Sequence, residues 1–345
     1  MRLSASAAAW RSVILTVAAL TVLIAGCERR QEIIEQTVQT KAQGTIANIE
    51  NSRVPVEMLT WEMVAEVDHG FSAAAAVAFG PDGTLYIAGD QAVSGFSPDG
   101  ATLWSLPLQG AATALHVDAQ SILVGLKDRV AIYDLATQQW AEIAPLSPHY
   151  SMQEAGRTWV TSIASNGDRR FFADAGNRRI IVYDSMGQSL GEVAGMDQER
   201  GIPPLAVPSP HLDVAMGFDG NLWLSNPGRR SIQVHSLADG SLVSSWGVAS
   251  NAIEGFGGCC NPTDIALLPD GRVVTAEKGI PRVKVMSADG ALLSVVVPPN
   301  GFSQTTAGID LAADQMGQVV VLDPLGNTVR LYAETVPLQV GETDE

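Results

Sequence analysis

Two thiols side by side are the first chemistry this sequence offers. Cys259 and Cys260 are adjacent, and the one other cysteine is Cys27. Neighbouring Cα atoms lie about 3.8 Å apart, short of the roughly 4.4–6.8 Å usual across a disulfide, so a bond between them would be strained and easily reduced. The disulfide expected here forms a rigid apolar plate or redox element in a pocket. The alternatives are a structural knuckle or two buried free thiols.

Oxygen-bearing side chains form a second set. Aligned on their Gly-containing turns, the hairpins pair the residue seven before the turn glycine with the residue six after it. This pairs Asp213 with Asn226, Asp264 with Glu277, and Asp310 with Asp323. Placed opposite one another, they project six acidic or amide groups at one end of three consecutive units. Cys259, Cys260, Asn261 and His211 enter at the same end. Converging carboxylates repel, raise one another's pKa, or recruit a cation, and oxygen-only ligands suit Ca²⁺ rather than Zn²⁺. Asp213, Asp264 and Asp310 are the candidate metal set. Asn226, Glu277, Asp323 and, after one extra residue in the third copy, Asp174 have a competing structural role: Arg178, Arg229 and Arg282 are spaced to pair with the residue at that strand-two position. Lys278, beside Glu277, suits an anion or carboxylate, or serves as a local counter-ion. Of the histidines, only His211 falls at this end; His116 lies within a first strand and His235 within a third, so no zinc triad is expected. No Gly-x-Ser-x-Gly elbow, P-loop or dinucleotide fingerprint occurs in a fitting context.

These residues need a scaffold that repeats. Hairpin turns recur at Asp82-Gly83, Asp118-Ala119, Asn166-Gly167, Asp219-Gly220, Asp270-Gly271 and Met316-Gly317, about 36 to 53 residues apart. A second hairpin follows in five of the copies, as in GFSPDGATLW and VMSADGALL. Four short strands per copy, with Asp-Gly turns between β-branched runs, are the pattern of a β-propeller. The fold class is all-β, a six-bladed propeller over 53–341. The sixth copy shows three clear strands, so its fourth must come from elsewhere. Leu59 to Val67 is preferred over Val336 to Val340, because TWEMVAEVD precedes the first copy as SLVSSWGVA precedes the fifth. Such closure removes the open edge.

FADAGNRRIIVYDSMGQ and LWLSNPGRRSIQVHSLADG resemble NHL repeats, with their strand ending in Asp, a loop bearing Asn and Arg, and an Ile-x-Val-Tyr strand. The resemblance spans about Phe71 to Tyr332 and is clearest in copies three to five. It implies six blades, and a domain that acts mostly as a binding platform. Such repeats ordinarily carry Asp at the strand-two position and Gly where this chain has Asp213, Asp264 and Asp310.

The N-terminus reads as an address. Arg2 and Arg11 precede an apolar run from Val13 to Ala25 that is short for a membrane span. It ends in Leu23-Ile24-Ala25-Gly26-Cys27, which resembles the lipobox of bacterial lipoproteins. That resemblance implies a signal peptide over 1–26, acylation of Cys27, and a tether over 27–52, with a short tail at 342–345. The expected location is the cell envelope, facing the periplasm or exterior, with lipid supplying the membrane hold. In such an oxidising compartment, Cys259 and Cys260 have only each other as partners. The net charge of −16 leaves no basic stripe for nucleic acid. The function expected is binding of a protein or small-molecule ligand at one face of a monomeric ring. The rival is a metal-assisted lyase or hydrolase with its site at the channel mouth and Glu277 as general base.

Overall fold

A computed structural model describes residues 53–143, 146, 157–193 and 202–335. The expected signal peptide and tether, Cys27, His149, the segment Val336 to Val340 and the expected tail lie outside the described residues. Among the described residues, no helix is long and apolar enough to cross a membrane.

The described chain builds six four-stranded antiparallel sheets, each from strands adjacent in sequence except one. The inner strands of blades 1 to 6 are Ala74–Phe79, Ala114–Val117, Val160–Ser165, Val214–Met216, Asp264–Leu267 and Asp310–Ala313. Second strands such as Val273–Glu277 and Val319–Asp323 are buried throughout, whereas outermost strands such as Leu242–Trp246 are largely exposed. This gradient follows from radial packing: middle strands are covered on both faces by neighbouring blades. Six apolar clusters result, each filling the space between one pair of adjacent blades. The cluster between blades 5 and 6 sets Val274, Val283 and Val285 against Val319, Val321 and Tyr332.

The exceptional sheet is the sixth. Trp61–Val67 pairs antiparallel with Thr328–Glu334 as its outermost strand, so the N-terminal segment closes the ring as expected. Trp61 anchors the join: its ring sits in the blade 5/6 cluster, and its Nε1 donates to Ser294 Oγ of blade 5 at 3.0 Å.

The hairpin between first and second strands corrects the expected pairing. In blade 5 the loop closes with Leu268 N–H to Arg272 O at 2.9 Å and Gly271 N–H to Leu268 O at 2.9 Å. Gly271 adopts φ +86, which a side chain would oppose, leaving a three-residue loop. The register is therefore Asp264 opposite Ala276 and Asp310 opposite Leu322, one residue from the expected partners. In blade 4, Ser225 N–H donates to Asp213 O, the same offset. Because side chains alternate faces, this single step sends the strand-one and strand-two acids to different surroundings.

Candidate functional site: the mouth of the axial channel

Strand-one acids meet at the axis. An innermost strand presents amides on its channel side that no strand pairs, and these need acceptors. Asp213 Oδ2 accepts from Ile265 N of blade 5 at 2.6 Å, and Asp310 Oδ2 from Val77 N of blade 1 at 2.7 Å. Asp264 accepts from Leu311 N of blade 6. Blade 3 continues the pattern with a hydroxyl: Val214 N donates to Ser162 Oγ at 3.2 Å. Each side chain thus reaches across to the main chain of the next blade.

This arrangement buries acids without cations. Among the described residues, no ion pair reaches any of the three. Burial pushes Asp213 up to about 6, with bonds from Ser162, Ile265 and Val214 pulling back. Burial, countered by the Val77 amide and reinforced by Asp213, lifts Asp310 to about 7. Asp264 rises well above the ordinary range through burial, then the charges of Asp213 and Asp310, and hydrogen-bonds to Asp310. The trio therefore retains a proton at neutral pH, shared between Asp264 and Asp310. Asp264 Oδ1 is buried with no hydrogen-bond partner, on a residue only 8% exposed.

Asp264 and Asp310 form a floor between two cavities. Above them, a mouth of about 230 Å³ is walled by Trp159, Thr161, His211, Leu212 and Ile309. Below, about 250 Å³ of channel is lined by all three aspartates, His116 and Phe218. His211 packs closely over Gly308, where a Cβ would lie 3.2 Å from its ring. Burial, then Lys278, pushes His211 down to about 4; burial does the same to His116. Both are neutral at pH 7. His116 was not anticipated as channel-lining. Its copy has the degenerate Asp118-Ala119 turn, which blurs the alignment that would have placed it.

The expected Ca²⁺ cage is not assembled. Among the described residues, no three His, Cys, Asp or Glu side chains are placed to hold one metal ion. The carboxylates are turned instead toward backbone amides.

Strand-two residues serve the loops. Glu277 is 1% exposed, and its Oε1 lies 2.8 Å from Arg282 Nε and 2.7 Å from Lys284 Nζ. Its Oε2 accepts from Gly257 N at 3.0 Å, while Arg282 and Lys284 donate to Ile253, Gly255 and neighbouring carbonyls. This cluster fastens the 251–257 loop and lines neither cavity. Asn226 accepts from Ala206 N, and Asp323 accepts from Leu325 N and Gly326 N. The expected Arg282 partnership holds, but the other two do not. Asp174 pairs with Arg179 at 2.9 Å, because Arg178 takes a left-handed φ of 58 and turns outward. Arg229 donates to Pro204 O.

The cysteines stand on the rim beside the mouth and line neither cavity. The expected disulfide is absent: both are thiols, with Sγ atoms 2.8 Å apart, Cys259 exposed and Cys260 buried. Adjacent residues hold their Cα atoms closer than disulfide geometry prefers. Burial, then the bond with Cys259, raises the Cys260 thiol, against smaller opposing effects of Ser209 and Lys278. Asn261 is a tie for the rim: it accepts from Lys278 N at 2.9 Å and donates to Gly257 O at 2.6 Å. Lys278 Nζ donates to Ser209 Oγ at 2.8 Å.

Among solved structures, a streptogramin B lyase is similar, with a TM-score of 0.55 and 12% identity over 81% of this chain and 99% of that one. The WD40 β-propeller domain of Doa1 is similar at a TM-score of 0.51 and 15% identity, over 75% of this chain and 78% of that one. At such identities the likeness speaks to fold, and the fold is a β-propeller. No family model and no curated protein matches the sequence.

Proposed function

We propose that this chain is a lipid-anchored, extracytoplasmic propeller of NHL type whose ring binds a small ligand at the channel mouth. The observation that carries the reading is the unpartnered, buried Oδ1 of Asp264, a residue that lines both the mouth cavity and the channel below it. A buried acceptor without a donor costs roughly 1–3 kcal/mol, which a ligand donor would recover. Ring-mouth placement is also where propellers and barrels offer concave, preformed space. The lipobox at Leu23 to Cys27 and the NHL-like phrases of copies three to five support the location and repeat type. The acidic balance argues against nucleic acid, and we take the working form to be a monomer.

The lyase reading loses its general base, since Glu277 is ion-paired with two cations and lines neither cavity. The test is a small-molecule screen by thermal shift on the full-length protein, repeated on Asp264→Asn. Compounds that raise Tm should lose that effect in the variant. Stabilisation that survives the substitution would move the site elsewhere.

A further inference from the structure

The chemistry of the walls narrows what the mouth can accept. Among the described residues, none that lines it is Lys or Arg, and the nearby Lys278 is turned to Ser209. His211 is the mouth's only imidazole among the described residues and is neutral at pH 7. An anion reaching Asp264 and Asp310 would therefore meet carboxyls that no described cation pairs with. The chain as a whole carries −16, which concentrates cations around it. Trp159 is 40% exposed and lines the same cavity as Asp264 and Asp310. That ring already attracts one cation, the Lys127 ammonium at 5.7 Å from its centroid. An aromatic wall above a desolvated carboxyl pair is a setting that favours an organic cation over a neutral molecule. The space, about 230 Å³, holds roughly eight waters' worth of ligand.

We propose that the mouth ligand is a primary amine, bound as its ammonium, with the nitrogen donating to Asp264 Oδ1 and an apolar body lying against Trp159, Leu212 and Ile309. This rests on the mouth-binding reading above and adds the class of ligand. The balance is simple. The ammonium arrives with its charge, and the proton shared by Asp264 and Asp310 leaves to solvent, so that the trio gains a negative charge as it gains the cation. The titratable groups facing that step are Asp213 from blade 4, Asp310 from blade 6, His211 at the rim and His116 below. The two imidazoles are neutral at pH 7 and add no competing charge.

Three probes with one aromatic body separate the possibilities: phenethylammonium, 2-phenylethanol and phenylacetate. Each is titrated into the full-length protein by calorimetry at pH 7, in two buffers of different ionisation enthalpy. The expected result is binding of phenethylammonium alone, with proton release. Asp264→Asn should weaken it about tenfold or more, and Trp159→Leu several-fold, as loss of a charge-assisted bond and of a cation–π contact would. Trp159 is at the surface, so its variant keeps the test open should Asp264→Asn fold poorly. Equal binding of 2-phenylethanol, or no change in either variant, would overturn the ammonium assignment and leave the mouth as a site for neutral ligands. Preference for phenylacetate would also overturn it. Failure of all three probes, together with no mouth-dependent compound in the thermal-shift screen, would remove the mouth as a site altogether.

Discussion

Asp264 and Glu277 show how one residue step separates two fates for an acid. Asp264 sits over unfilled space with a retained proton; Glu277 sits among cations and fastens a loop. Removing Glu277 would strand Arg282 and Lys284 in the interior, where a broken buried pair costs about 3–5 kcal/mol. Glu277→Ala should therefore lower the denaturant midpoint steeply, while replacing all three charges with apolar residues should recover much of the loss; equilibrium unfolding compares them. Acidity at the axis has a signed pH signature. Raised acid pKa values mean the folded chain holds protons that the unfolded chain releases, so stability is full below the ordinary carboxyl pKa and is lost as pH rises through the folded values. His116 and His211, depressed to about 4, oppose this: their contribution is full above the ordinary imidazole pKa, about 6.5, and is lost as pH falls toward 4. Above about pH 6.5 the carboxyls act alone. Tm should fall by a few degrees between about pH 6.5 and 8.5, since about 1 kcal/mol moves a 150–250-residue domain by ~2–4 °C. Asp264→Asn, whose amide can donate to Asp310 as the acid does, should flatten that slope; parallel thermal melts across pH would argue against a shared proton.

At the scale of elements, the strands were legible and their register was not. Turn glycines and β-branched runs marked the hairpins, and Leu292–Val297 falls where the pattern places it. Pairing depends on whether a loop holds two residues or three, and Pro269-Asp270-Gly271 supports either count until the backbone bonds are known. Arg178 and Arg179 present the same difficulty: composition gives an arginine for Asp174, but only the left-handed residue between strands decides which one. The convergence of Asp213, Asp264 and Asp310 was readable because all three hold the same place relative to the turn. The two free thiols were the third of three readings the sequence left open. The closing strand carries its own prediction. Trp61→Ala should cost about 3–5 kcal/mol, as for other buried large-to-small changes. It should also expose the edge of Thr328–Glu334, so aggregation on mild heating, followed by light scattering, should increase. A variant that melts like the parent would show that the strand is dispensable.

For the whole molecule, the anchor and the ring should be separable. If acyl chains on Cys27 supply the membrane hold, Cys27→Ser should shift the protein from the membrane pellet to the soluble fraction while the propeller's Tm stays within about a degree, because surface and tether changes are usually worth under about 0.5 kcal/mol. Retention in the pellet would point to a membrane-binding face on the ring itself.

Ring closure also has a consequence in time. Trp61–Val67 is made before every other described strand, yet its partner Thr328–Glu334 is the last to be made. As the chain emerges the leading strand must wait, unpaired and bearing exposed backbone donors and acceptors, until some 260 residues have followed it. The circle therefore has no stable partial form with both ends joined. Its assembly is a single late event, and anything that holds the emerging head away from neighbouring chains protects the yield.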